Sequence, residues 1–87
     1  MNDLQDFRNK IDEIDDGIVK LLLARFAVVK NVAEYKKKHG LEIEQKKRET
    51  EVLKKIADKT DNQEYKQYIL DIYQTILDTS KKSQQKI

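Results

Sequence analysis

Residues 4–38 read LQDFRNKIDEIDDGIVKLLLARFAVVKNVAEYKKK, and apolar side chains recur through them with a seven-residue repeat. Leu4, Ile11, Ile18 and Val32 fall on one seam, and Phe7, Ile14, Leu21, Val28 and Tyr35 on the other. Arg25 is the one seam position out of pattern. With no proline and only Gly17 inside it, this run predicts one helix and not two. At about 1.5 Å per residue the helix is roughly 50 Å long. A compact chain of this length has a radius of gyration of only about 12 Å, so the helix overhangs its own globule. Its apolar stripe therefore calls for a second chain.

Composition agrees with that. Eighty-seven residues allow one small domain, and domains of this size bury too little surface to be generously stable alone. Charged residues make up 39% and hydrophobic ones 38%, with two glycines, no proline and no tryptophan, the makeup of a solvent-facing helical bundle. No cysteine is present and only one histidine, which argues against a disulfide framework, a thiolate metal cluster or an ordinary zinc site. A formal charge of +2 is too small to bias the chain toward nucleic acid or membrane. No apolar run approaches the roughly 20 residues of a membrane span, and the amino terminus lacks a signal-peptide core. A cytoplasmic protein is the expectation.

Outward from the opening stretch, the pattern predicts an all-α chain of three helices, approximately 3–38, 43–59 and 62–84. Asn2 or Asp3 is placed to cap the first, and Gly40 suits the left-handed position that closes it. Lys36, Lys37 and Lys38 meet the negative end of its dipole. Helix two carries Arg48, Val52, Leu53 and Ile56 on one face. In TDNQE, Asp61 followed by Glu64 has the spacing of a capping box for helix three. That helix bears a stripe of Tyr65, Ile69, Ile72, Tyr73, Ile76 and Leu77.

The informative residues are polar ones on apolar faces. At 100° per residue, Arg25, Val29, Val32 and Lys36 fall within about 60° of one another. Arg48 continues the Val52 and Ile56 stripe one turn earlier, Glu49 lies one turn before Leu53, and Ser80 and Gln84 extend the Tyr73 and Leu77 stripe. Singly, each is an ordinary surface charge or polar tail. Together, cations, one carboxylate and neutral donors replace apolar residues on inward faces, which makes a polar pocket suited to a small anion. Arg8 lies 17 residues before Arg25, about 25 Å along the helix, and could reach the same ligand only from an antiparallel partner chain.

These residues carry a resemblance to the all-helical (type II) class of chorismate mutase. It covers nearly the whole chain, through FRNKIDEID with Arg8, LLLARFAVVKNVAEYK with Arg25 and Lys36, KKRETEVL with Arg48 and Glu49, and ILDTSKKSQQ with Ser80 and Gln84. Each string is ordinary helical sequence; the four in order are far more specific. The resemblance implies an intertwined homodimer with two equivalent sites. It also implies the Claisen rearrangement of chorismate to prephenate in phenylalanine and tyrosine biosynthesis, with no cofactor or metal.

By that resemblance, Arg25 and a partner-supplied Arg8 grip the carboxylates, Ser80 adds a hydroxyl contact, and Lys36 and Gln84 converge on the ether oxygen. Glu49 accepts from the ring hydroxyl, Arg48 lines the pocket and orders Glu49 and its neighbours, and Val32 and Leu77 form apolar walls. His39, beside Gly40, is given a structural role. One departure is Gln45, where relatives often carry an acidic residue; the implied contact runs through its backbone amide and tolerates the change. Two other functions fit parts of the pattern. Isochorismate pyruvate lyases share the scaffold and would use Lys36 and Gln84, with Glu49 after Arg48 favouring the mutase. A non-enzymatic coiled-coil or nucleic-acid-binding module would use the lysine pairs on phosphates, but these lack interleaved aromatics and scatter over three helices.

Overall fold

The computed structural model describes residues 2–87, and they form three helices joined by two short connections. Helix α1 runs over Asp3–His39. Asn2 opens it, with its Oδ1 accepting from the Gln5 amide at 3.2 Å, and Gly40 ends it in the left-handed conformation at φ 66°. There the amide of Leu41 donates to the Lys36 carbonyl at 2.8 Å, satisfying a carbonyl that the helix end leaves without a partner. Helix α2 spans Lys46–Lys59 and helix α3 Lys66–Gln84.

Both shorter helices begin later than their expected 43 and 62, for local reasons. Residues 41–45 stay outside the helix, with Lys36 holding the Ile43 carbonyl at 2.8 Å, an acceptor that a helix would have used within itself. The expected Asp61–Glu64 capping box does not form. Asn62 takes that part, its Oδ1 accepting from the amides of Glu64 at 2.9 Å and Tyr65 at 3.3 Å, and the regular α-helix starts only after this turn.

Helix α3 packs on both other helices. Its inner face carries Ile69, Leu70, Tyr73, Ile76 and Leu77, then Ser80 and Gln84. Helix α2 meets it with Val52, Leu53, Ile56 and Ala57, and α1 with Leu22, Arg25, Phe26, Val29, Ala33 and Lys36. The α1 set recurs at three- and four-residue intervals, one face of a helix. Two of the residues expected on the inner stripe of α3, Tyr65 and Ile72, are instead exposed.

The heptad seam of α1 meets that face at Arg25 and is otherwise largely uncovered. Ile14 is 61% and Leu21 73% exposed, with Leu4, Phe7, Ile11, Ile18, Val28 and Tyr35 also in contact with solvent. Among the described residues, the buried hydrophobic side chains are Ala33 and Leu77 alone. The chain extends 58 × 26 × 15 Å with a radius of gyration of 16.4 Å, against about 12 Å for a compact chain of equal length. A bare apolar stripe on an overhanging helix, with so small a core, leaves much apolar surface in contact with solvent. No helix among the described residues is long and apolar enough to cross a membrane.

Candidate functional site

A cavity of about 310 Å³ lies where α1, the 41–45 connection, α2 and α3 converge. Seven of the eight residues singled out in the sequence line it: Arg25 and Lys36 from α1, Gln45, Arg48 and Glu49 at the start of α2, and Ser80 and Gln84 from α3. Val28, Val29, Val32, Val52 and Leu77 form its apolar walls. Local sequence explains the convergence. Arg25, Val29, Val32 and Lys36 share one face of α1. Leu77, Ser80 and Gln84 recur at i, i+3 and i+7 on α3, so the aliphatic face that packs the bundle becomes polar near its end.

Two hydrogen-bond chains fix the cavity floor. Lys36 Nζ donates to the Ile43 carbonyl at 2.8 Å and to Gln84 Oε1 at 3.0 Å. An ammonium has three N–H donors, so one remains for an acceptor in the cavity. Gln84 is buried, and because its Oε1 accepts from Lys36 its amide nitrogen is the donor end. Burial pushes the Lys36 pKa below the usual 10.5, with the nearby Glu49 carboxylate opposing the shift.

In the second chain Arg25 Nη1 donates to Ser80 Oγ at 2.6 Å, and Ser80 Oγ donates to the Ile76 carbonyl at 2.7 Å. Ser80 therefore acts here as an acceptor that aims Arg25, its single proton committed to the helix. A guanidinium so held retains further N–H donors in a planar fork, a geometry that matches a carboxylate.

Arg48 pairs with a neighbour of Glu49, and Lys81 joins the residues singled out in the sequence. Arg48 lines the cavity, but its charged contact is with Glu51 at 3.7 Å, both largely exposed, and not with Glu49. Lys81 is not among the residues singled out in the sequence. Its Nζ lies 3.0 Å from Glu49 Oε1 and 3.3 Å from Glu44 Oε1, and the residue lines the cavity. The signal was available: Lys81 follows Leu77 by four residues and precedes Gln84 by three. His39 stacks its ring 4.1 Å from that of Tyr35, away from the cavity lining. Arg8 stands alone. It is exposed, 17 residues and about 25 Å of helix from Arg25, and no element of its own chain brings it to the cavity.

The arrangement presents cations and amide donors around a small concave space with aliphatic walls, an environment for a compact organic anion. A family model described as chorismate mutase type II matches residues 7–85. A bifunctional chorismate mutase/prephenate dehydratase of Buchnera aphidicola is 37% identical over 87 residues, covering 99% of this chain and 23% of that protein. A protein of the same name from Aquifex aeolicus is 39% identical over 56 residues, covering 64% of this chain and 16% of the relative. A chorismate mutase of Methanocaldococcus jannaschii is 42% identical over 53 residues, covering 61% of this chain and 54% of the relative. The chain thus spans about half or less of the length of each of these curated relatives.

Proposed function

We propose that this chain, which belongs to the type II chorismate mutase family, rearranges chorismate to prephenate in a cavity completed by a second copy of itself. The observation that carries the reading is the Lys36–Gln84 pair, 3.0 Å apart, on the wall of a cavity that Arg25 also lines. In the rearrangement a carbon–carbon bond forms as the ether carbon–oxygen bond breaks, and negative charge builds on the ether oxygen. No proton moves and no covalent intermediate forms, so a protein contributes by fixing a conformation and stabilising that charge.

Each side chain then has a task. Arg25, aimed by Ser80, binds one substrate carboxylate bidentately, and Arg8 of the second copy binds the other. The remaining N–H of Lys36 and the amide nitrogen of Gln84 donate to the ether oxygen. These bonds strengthen only as charge develops, which is the kind of binding that raises turnover. Glu49 accepts from the ring hydroxyl, Arg48 and the Gln45 backbone amide border that side, and Val32 and Leu77 hold the ring in its folded arrangement. The protein's residues supply these functions without a cofactor.

The second copy follows from the uncovered seam. Two α1 helices running antiparallel would bury Phe7, Ile11, Ile14, Ile18, Leu21 and Val28 against each other. They would also carry each Arg8 toward the other chain's Arg25. Burying an aliphatic side chain contributes about 1.5–3 kcal/mol, so the seam supplies the hydrophobic area that Ala33 and Leu77 alone do not.

The test is a direct assay of the purified protein. Prephenate forming from chorismate, without added metal, is the expected result. Pyruvate released from isochorismate with no prephenate from chorismate would replace this reading with the lyase. Salt-sensitive DNA binding with turnover of neither substrate would replace it with a nucleic-acid-binding module.

A further inference from the structure

Glu49 is the acidic residue lining the cavity, and two lysines face it. Charged groups line that space from each element packed around it: Arg25 and Lys36 from α1, Arg48 and Glu49 from α2, and Lys81 from α3. Glu44, from the connection before α2, meets Lys81 at 3.3 Å, and Asp78, one turn back on α3, lies 4.0 Å from it. The pair with Glu49 is the shortest of the three at 3.0 Å, and its side chains are 25% and 21% exposed, whereas Glu44 and Asp78 are about half exposed. Exposed pairs contribute little; the sheltered Lys81–Glu49 pair is the one that fixes a side chain. The Glu49 carboxylate lies close enough to Lys36 to act on its charge, but the hydrogen-bond partners of Lys36 are Ile43 and Gln84.

We propose that Lys81 is a positioning residue: by engaging the Glu49 carboxylate from α3, it keeps Glu49 off Lys36 and leaves the third N–H of Lys36 for the substrate. The assignment of that N–H to substrate rests on the mutase reading; the competition of two lysines for one carboxylate does not. Without Lys81, Lys36 is a cavity cation on whose charge Glu49 already acts. An ion pair between them would occupy the donor that the developing oxyanion needs and would strengthen the substrate-independent hold on the Lys36 charge. Glu49 would also turn from the ring hydroxyl. The Lys81 ammonium is itself held charged by these carboxylates, its pKa raised first by the hydrogen bond to Glu49, so it serves in this role across the neutral range.

The test uses the whole chain with Lys81→Met, Lys81→Arg, Glu49→Gln and the double variant Lys81→Met with Glu49→Gln, each checked for helical content by circular dichroism. The Lys36 titration is followed by NMR of the lysine Cε resonances, and turnover of chorismate is measured alongside. In Lys81→Met the Lys36 titration moves upward and kcat falls about tenfold, as expected when a charge-assisted donor is diverted. Adding Glu49→Gln returns the Lys36 titration toward its original position, and Lys81→Arg leaves it there. A Lys36 titration unmoved by Lys81→Met, or moved equally with Glu49 absent, overturns the inference. Because the titration is read in the free protein, that result stands apart from the mutase reading, which fails only if the unaltered chain does not turn over chorismate.

Discussion

Lys36 Nζ lies 3.0 Å from Gln84 Oε1, joining the carboxyl-terminal ends of two helices 48 residues apart in sequence. The contact settles which end of the Gln84 amide is the donor, and it uses one of three ammonium protons while Ile43 takes a second. Two donors, one charged and one neutral, are thereby oriented before any ligand arrives, and preorganised donors of this kind need no rearrangement when charge develops.

Removing either donor should therefore lower turnover far more than stability. Lys36→Ala and Gln84→Ala are each expected to reduce kcat by about 10²–10³-fold, with helical content and the urea midpoint changed little. Steady-state kinetics beside urea unfolding measures both. Near-normal kcat in both variants would contradict the roles given to these residues.

Arg8 tests whether the site is shared. Arg8→Ala chains and Lys36→Ala chains are each expected to be nearly inactive, but mixing them after chain exchange should restore part of the activity. A mixed dimer contains one cavity that has both an intact Arg8 and an intact Lys36. Absence of recovery, with exchange demonstrated by mass-tagged chains, would place Arg8 outside the site.

The uncovered seam predicts an association that one charge can break. Ile14→Asp or Leu21→Asp puts a carboxylate on a stripe that is otherwise aliphatic, at a cost of several kcal/mol if the stripe is buried in the dimer. Sedimentation should show dissociation at micromolar concentration, with loss of helicity in the first half of α1. An unchanged sedimentation coefficient would mean that the seam faces water in the working protein.

The lysines give opposite alkaline signatures. Burial lowers the Lys36 pKa in the fold, so between that value and the usual 10.5 the unfolded chain binds more protons. Stability contributed through Lys36 therefore rises with pH in this window. Lys81 is raised; its contribution is present below 10.5 and is lost as pH climbs through the raised value. The same Lys36 shift places the alkaline limb of kcat/KM below the range of an ordinary lysine. A bound dianion favours the ammonium, so the limb of kcat should lie higher. Urea unfolding and pH–rate profiles check the two statements, and coincident limbs would separate Lys36 from the substrate.

Much of this was legible from spacing because helical geometry is regular. The i, i+4, i+7 and i+11 positions of Arg25, Val29, Val32 and Lys36 fix a shared face whatever the tertiary structure. The glycine after KKKH could close α1 only in the left-handed conformation it adopts. The start of α2 was legible only to within three residues: residues 41–45 were expected as the connection and the helix entry, and a hydrogen bond from Lys36 to the Ile43 carbonyl accompanies their staying outside the helix. Asn62 and not Asp61 accepts the free amides in the turn before α3, because such bonds depend on backbone geometry at the turn and not on side-chain type alone. Lys81 escaped notice because one lysine of a KK pair carries no mark of direction; only the packing of α3 on α2 turns it toward Glu49. Arg48 was expected to order Glu49 and its neighbours; its ion pair is with one of those neighbours, Glu51, three residues on along the helix.

The most direct measurement is a crystal structure of the protein with a bicyclic dicarboxylate that mimics the folded transition state. Two copies of the chain are predicted to enclose it, with its ether oxygen in hydrogen-bond range of Lys36 Nζ and the Gln84 amide nitrogen. Its carboxylates should meet Arg25 of one copy and Arg8 of the other. A mimic bound elsewhere, or a lone chain with Lys36 and Gln84 turned to solvent, would contradict the account.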